Sequence, residues 1–200
     1  MGRPQAFDTD AVVRSARNVF WRLGYESTSV PDLEAATGLN RSSIYHAFGS
    51  KRGLFDTSVE SYLTEVVRPR LEPLTGEKIS PRALVDYLVA LRSALAERSA
   101  LASHGCMLIN TAGARIGQDE AVREAIAGYQ RELRAAFLRG LQAAHPELDD
   151  ETADLGSRII ASLVITALAL TRADFDAAME NVNTAIELAV SANTGGSVRG

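Results

Sequence analysis

Between positions 40 and 51 the chain gathers Asn40, Arg41, Ser42, Ser43, Tyr45, His46 and Lys51. These residue types donate hydrogen bonds and carry positive charge, which suits recognition of a polyanion better than bond-breaking chemistry. A forked guanidinium at Arg41 can donate to guanine O6 and N7, and the hydroxyls of Ser42 and Ser43 can serve bases or phosphates. Tyr45 can reach a backbone phosphate, while Lys51 adds charge together with free N–H groups at a helix start. Ser29 completes the candidate set in this stretch. The sequence holds no Ser-x-x-Lys, no glycine-rich phosphate loop, no histidine pair spaced for zinc and no nucleophile elbow. An all-helical enzyme is therefore the weaker alternative. A protein–protein adaptor on the same scaffold is a second, and the basic, hydrogen-bonding character of Arg41, Tyr45 and Lys51 argues against it.

Such residues need a rigid support, and the hydrophobic pattern supplies one. Periodicity is helical nearly throughout, with no convincing strand, and it predicts an all-α fold of about nine helices. The first runs from Thr9 and ends at Gly24. Ser29 caps a short second helix (residues 30–37), with Pro31 tolerated in its first turn. Gly38 ends that helix, and Asn40 caps a third over residues 41–48. Apolar Val30, Leu33, Ala36, Leu39, Ile44 and Phe48 recur at spacings that pack the two short helices on each other and on the first. The unit reads as a helix-turn-helix whose second helix enters the major groove, polar N-terminal end toward the bases. The bland alternative is a structural corner with solvated polar residues.

A fourth helix is expected from Lys51 to about Pro69, and a fifth from the Ser80-Pro81 cap, with a stripe of Leu84, Leu88, Leu91 and Leu95. A short sixth falls near residues 105–116, and a seventh spans 119–144. An eighth begins in the acidic cluster Asp149-Asp150-Glu151 and continues to about Thr171; a ninth covers 174–192. The eighth is apolar on two sides, Leu155, Ile159 and Leu163 on one and Ile160, Val164 and Ala167 on the other. A helix apolar all round must be covered all round; a second copy of the chain is the expected cover, and burial inside the single chain is the alternative. Leu163, Val164 and Ala167 are the expected contacts on this helix, and Met179, Val182 and Ile186 share one face of the ninth. The pattern divides the chain into a helix-turn-helix unit at 1–50, a larger helical unit at 51–192 and a disordered tail at 193–200.

Composition sets the outer limits. The 200 residues carry a net charge of −4, which excludes a wholly basic nucleic-acid coat but not a local basic site. Residues 1–52 hold seven basic against five acidic side chains, and the remainder hold 14 against 20, so the excess of base lies in the helix-turn-helix segment. The single cysteine, Cys106, cannot form an internal disulfide, which fits a reducing, cytoplasmic setting. No secretory signal pattern opens the chain, and the uncharged stretch 159–171 is shorter than a membrane span needs, so no membrane is expected. The histidines have no spacing that would make a metal site with Cys106, and neither metal nor cofactor is expected.

The stretch GYESTSVPDLEAATGLNRSSIYHAFGSKRGLF, residues 24–55, resembles the DNA-binding domain of the TetR family of bacterial transcriptional regulators. The shared pattern is Gly-Tyr, Thr-Ser-Val, Ala-x-x-Gly-Leu, Ser-x-Tyr-x-x-Phe and Ser-Lys-x-x-Leu-Phe, and the opening Gly2-Arg3-Pro4 is similar to the family's N-terminal arm. The resemblance implies a homodimer on double-stranded DNA with a palindromic operator, released by a small-molecule inducer bound in the C-terminal domain, and a dimer bundle built from the last two helices. It does not identify the inducer. Tyr62, Val66, Tyr87, Cys106, Asn110, Tyr129 and Phe137 are the candidate pocket residues. Cys106, in the Gly-Cys-hydrophobic stretch at 103–110, is either a thiol made reactive by a helix start and nearby His104, or a buried inert one. Trp21 reads as packing.

Overall fold

The computed structural model describes residues 7–97 and 102–191. Arg3 and the expected tail at 193–200 lie outside them. Nine helices and two short 3₁₀ turns account for the described residues, with no strand among them. Helix α1 (Thr9–Leu23) is capped by Asp8, whose carboxylate accepts from the Ala11 N–H at 3.0 Å. Helix α2 (Val30–Thr37) opens on a reciprocal capping box. Ser29 Oγ accepts from the Asp32 N–H, and Asp32 accepts from the Ser29 N–H. Gly38 closes α2 with φ of 71°, a left-handed conformation that costs a residue without Cβ little. Asn40 then caps α3 (Arg41–Phe48), accepting from the Ser43 N–H at 2.9 Å.

Helix α4 is longer than the sequence pattern suggests. It starts at Lys51–Tyr62, passes through one π-helical turn at Leu63–Val67 and continues as Arg68–Thr75 without leaving the helix. The expected end near Pro69 is passed, and Pro73 also lies inside the helix. A proline ring clashes with the carbonyl four residues back, and the wider π turn opens the backbone just before Pro69. Helix α5 (Ala83–Ala96) begins two residues beyond the Ser80-Pro81 cap, which forms a turn instead. Helix α6 (Met107–Ala112) is short, and its expected end is a 3₁₀ turn, Arg115–Gln118. Helices α7 (Glu120–Ala144), α8 (Asp150–Leu170) and α9 (Phe175–Ser191) fall where the pattern places them.

One buried cluster runs from the helix-turn-helix into the larger helical unit. Leu33, Ile44 and Leu54 are fully buried and clamp α2, α3 and α4 together. Phe20 meets Phe55 edge-on at 5.2 Å, joining α1 to α4. Each such side chain contributes about 1.5–3 kcal/mol by leaving water, so α3 sits on a firm base. Val30, Leu39 and Phe48 are half-buried, whereas Ala36 is exposed.

Helix α8 packs against α7 and α9. As a whole it is long and apolar enough to cross a membrane by length and composition alone, as a core helix also can be, while its uncharged stretch 159–171 is shorter than a span needs. Its two apolar sides have different fates. Val164 and Ala167, with Val182 on α9, are fully buried within the single chain. They therefore cannot be the contacting residues of a dimer. Leu163, Met179 and Ile186 are half-buried. The outward side is carried by Leu155, 49% exposed, and Ile159, 42% exposed, which with Ser162, Leu163 and Thr166 line a shallow open groove.

Candidate nucleic-acid interface and ligand cavity

Helix α3 presents its polar N-terminal half to solvent. Asn40, Arg41, Ser42 and His46 are exposed, and Ser43 and Tyr45 are half-buried. The Asn40 carboxamide oxygen is occupied by its capping bond, and Ser29 is held in its capping box, its hydroxyl donating to Asp32 at 2.6 Å. Both residues thus shape the helix ends before they touch anything else. The Arg41 N–H donates to the Glu34 carboxylate at 2.6 Å, which fixes α3 against α2. Its guanidinium lies 5.1 Å from the centre of the Tyr45 ring, an arrangement that pre-orders both side chains on one face. Lys51 is placed less freely than its helix-start position suggests. Its Nζ rests 4.4 Å from the centre of the Tyr25 ring. Burial lowers its pKa, opposed by the charges of Glu26 and Asp32.

A second feature lies behind the helix-turn-helix: a cavity of about 820 Å³, within the range of small-molecule sites. Of the seven candidate pocket residues, Tyr62, Val66, Tyr87 and Tyr129 line it. Cys106, Asn110 and Phe137 do not. Cys106 is buried behind the wall, near enough to the Tyr62 and Tyr129 hydroxyls to help raise their pKa. Asn110 Nδ2 donates to the His104 carbonyl at 2.7 Å, tying the loop before α6. Phe137 is fully buried, edge-on to Tyr87 at 5.3 Å. Burial raises the pKa of Tyr62, Tyr87 and Tyr129, so all three stay protonated. His104 is held neutral more strongly than usual, first by burial and then by the charges of Arg172 and Arg22.

Trp21 is the residue whose role changes most. Read from sequence as packing, it lines the cavity, and its Nε1–H donates to the Gly105 carbonyl at 2.9 Å. Its ring stands edge-on to Tyr62 at 4.9 Å. Its place on the buried face of α1, beside a helix that continues into the larger unit, was the available signal. Two further bonds join the helix-turn-helix to the rest. Arg52 Nη2 donates to Asp119 at 2.7 Å, and the Ile116 N–H donates to Glu26 at 2.7 Å. Asp119 also caps α7; the Arg52 guanidinium, followed by the Val122 N–H, depresses its pKa to about 2. Among the described residues no group of side chains is arranged to hold a metal ion.

A family model described as bacterial regulatory proteins, tetR family, matches residues 12–57. The chain is 31% identical over 194 residues to the uncharacterized HTH-type transcriptional regulator YezE of Bacillus subtilis (strain 168), covering 94% of this chain and 99% of that one. It is 36% identical over 110 residues to the HTH-type transcriptional repressor ComR of Escherichia coli (strain K12), covering 54% and 51% of the two chains. Among solved structures, it is similar to the TetR family regulator CifR, a cysteine mutant complexed with 26-base-pair operator DNA. The TM-score is 0.74 at 27% identity, covering 93% of this chain and 98% of that one.

Proposed function

Because the chain belongs to the TetR family of bacterial regulatory proteins, we propose that it is a cytoplasmic transcriptional repressor, released from a palindromic operator when a small molecule fills its cavity. The observation that carries the reading is the continuity of α4. This helix starts at Lys51 beside the exposed face of α3 and runs without interruption to Tyr62 and Val66 in the cavity wall. A ligand that displaces the far end of α4 moves the recognition helix at its near end. The bonds Trp21–Gly105, Arg52–Asp119 and Ile116–Glu26 make the helix-turn-helix follow. The repressor name of the relative ComR, and operator DNA bound to CifR, support the assignment.

In this reading residues 1–50 form the DNA-binding unit and 51–192 the ligand-binding and dimerisation unit. Two copies pair through the outward side of α8, at Leu155, Ile159 and Leu163, with Leu188 and Val190 of α9. Pairing places two α3 helices about 34–36 Å apart, or a multiple of that, to match successive major grooves. A useful inducer needs about 1–3 kcal/mol of coupling between cavity and operator. Arg3, Ser29 and the polar face of α3 are assigned to DNA.

The test is selection of bound sequences from random duplex DNA by the purified protein, followed by salt titration of the recovered site. A palindrome with a steep salt dependence is expected. Arg41→Ala should cost about 1–3 kcal/mol and relax preference at one base pair per half-site. Lys51→Ala should weaken all sequences alike. A selection that returns no preferred sequence refutes the repressor reading.

A further inference from the structure

The cavity carries a charge pattern that its aromatic interior does not require. Trp21, Tyr62 and Tyr129 form a buried wall, and Tyr87 extends it. Two cations also line the cavity: Arg70, in the last stretch of α4, and Lys78, in the loop between α4 and α5. Both are exposed, and neither takes part in an ion pair or side-chain hydrogen bond among the described residues. Nearby arginines are used differently. Arg68 is tied to Glu60 and Glu132 at 3.0 and 3.1 Å, and Arg139 donates to the carbonyls of Thr75 and Gly76. The one acid lining the cavity, Asp86, already faces Arg82 at 3.5 Å. The lining therefore keeps two unanswered positive charges beside an apolar, ring-lined interior. The guanidinium of Arg70 is also close enough to Tyr62 and Tyr87 to oppose the effect of burial on their hydroxyls.

We propose that the cavity selects an organic carboxylate with an aromatic body. The ring lies against Trp21 and the tyrosines, and the carboxylate is held by Arg70 and Lys78. This inference rests on the reading of the cavity as the ligand site. An inorganic anion would gain nothing from the wall, a cation would be repelled at the two positive side chains, and a neutral aromatic would leave both of them unused. A planar guanidinium matches a carboxylate with two parallel hydrogen bonds, which an amide of the same shape cannot accept.

Trp21 is the only tryptophan in the chain, so its emission reports occupancy directly. The full chain is titrated with 5-phenylvalerate and with 5-phenylvaleramide, which differ in charge and hardly in shape. The acid is expected to bind about tenfold more tightly, the scale of a hydrogen bond to a charged group. The double variant R70Q/K78Q should abolish that difference while leaving amide binding and thermal unfolding unchanged, because both side chains are exposed and unpaired. Equal binding of acid and amide, no binding of the acid, or an undiminished difference in the double variant would each overturn the proposal. Operator release is followed separately by anisotropy of labelled DNA. An acid that binds as expected and leaves the operator bound refutes induction, yet the ligand chemistry stands.

Discussion

Arg17 and Glu65 meet where α1 crosses the π turn of α4, and the two sides of the pair are unequally buried. The Arg17 side chain is 8% exposed, against 39% for Glu65. Arg17 Nη1 donates to Glu65 Oε2 at 2.9 Å, to Ser61 Oγ at 3.0 Å and to the Ser61 carbonyl at 3.3 Å, while its Nε has no partner among the described residues. Replacing Glu65 by Ala strands a buried guanidinium on neutral acceptors. Loss of one partner of a fully buried pair costs about 3–5 kcal/mol. The two Ser61 acceptors and the exposure of Glu65 reduce that to about 2–3 kcal/mol. Replacing Arg17 by Met removes the charge, its orphaned Nε and its hydrogen bonds together. Glu65 then hydrates, Ser61 Oγ keeps its own bond to Glu65 Oε1 at 3.3 Å, and the cost is about 1 kcal/mol. The double variant should resemble R17M alone, so adding R17M to E65A restores about 1–2 kcal/mol. Urea unfolding of the four proteins, with slopes checked for equality, measures this cycle. If E65A is no less stable than R17M, or if the two losses simply add, the pair does not hold α1 to α4 as described.

Three other outcomes follow from single contacts. The pKa of Asp119 is about 2 in the folded chain, below the ordinary 3.8; its ion pair with Arg52 therefore stabilises fully above about pH 4 and is lost as pH falls toward 2. D119N keeps the cap of α7 but not the charge, so its melting temperature should fall less than the wild type's over that window. Gly105 has φ of 67° and a Cβ there would strike the Leu168 carbonyl oxygen. Gly105→Ala should thus cost more than about 2 kcal/mol and shift the emission of Trp21, whose indole bonds to that residue. Ile159→Glu should yield a folded monomer by sedimentation, whereas Val164→Glu, at a fully buried position, should unfold the chain by circular dichroism. A dimeric I159E protein would move the interface away from α8.

Local rules determined much of this protein. Helix starts at Ser29, Asn40 and Asp149 follow from side chains that satisfy the first free N–H groups, and the turn at Gly38 from a residue without Cβ. These interactions span a few residues, so a linear pattern contains them. The polar face of α3 was legible for the same reason: Leu33 and Ile44 had to turn inward, which left Arg41, Ser42 and His46 outside. Periodicity also showed that α8 has two apolar sides, but not which one the chain itself would cover. Only the packing of α7 and α9 decided that Val164 and Ala167 are core and that Leu155 and Ile159 face outward. The cavity likewise belongs to the tertiary structure. Trp21, Arg70 and Tyr129 lie far apart in the chain, and they line one space because α1, α4 and α7 converge there. Cys106 and Phe137, equally plausible by type, fall just behind the wall because the rings of Tyr62, Tyr87 and Tyr129 stand in front of them.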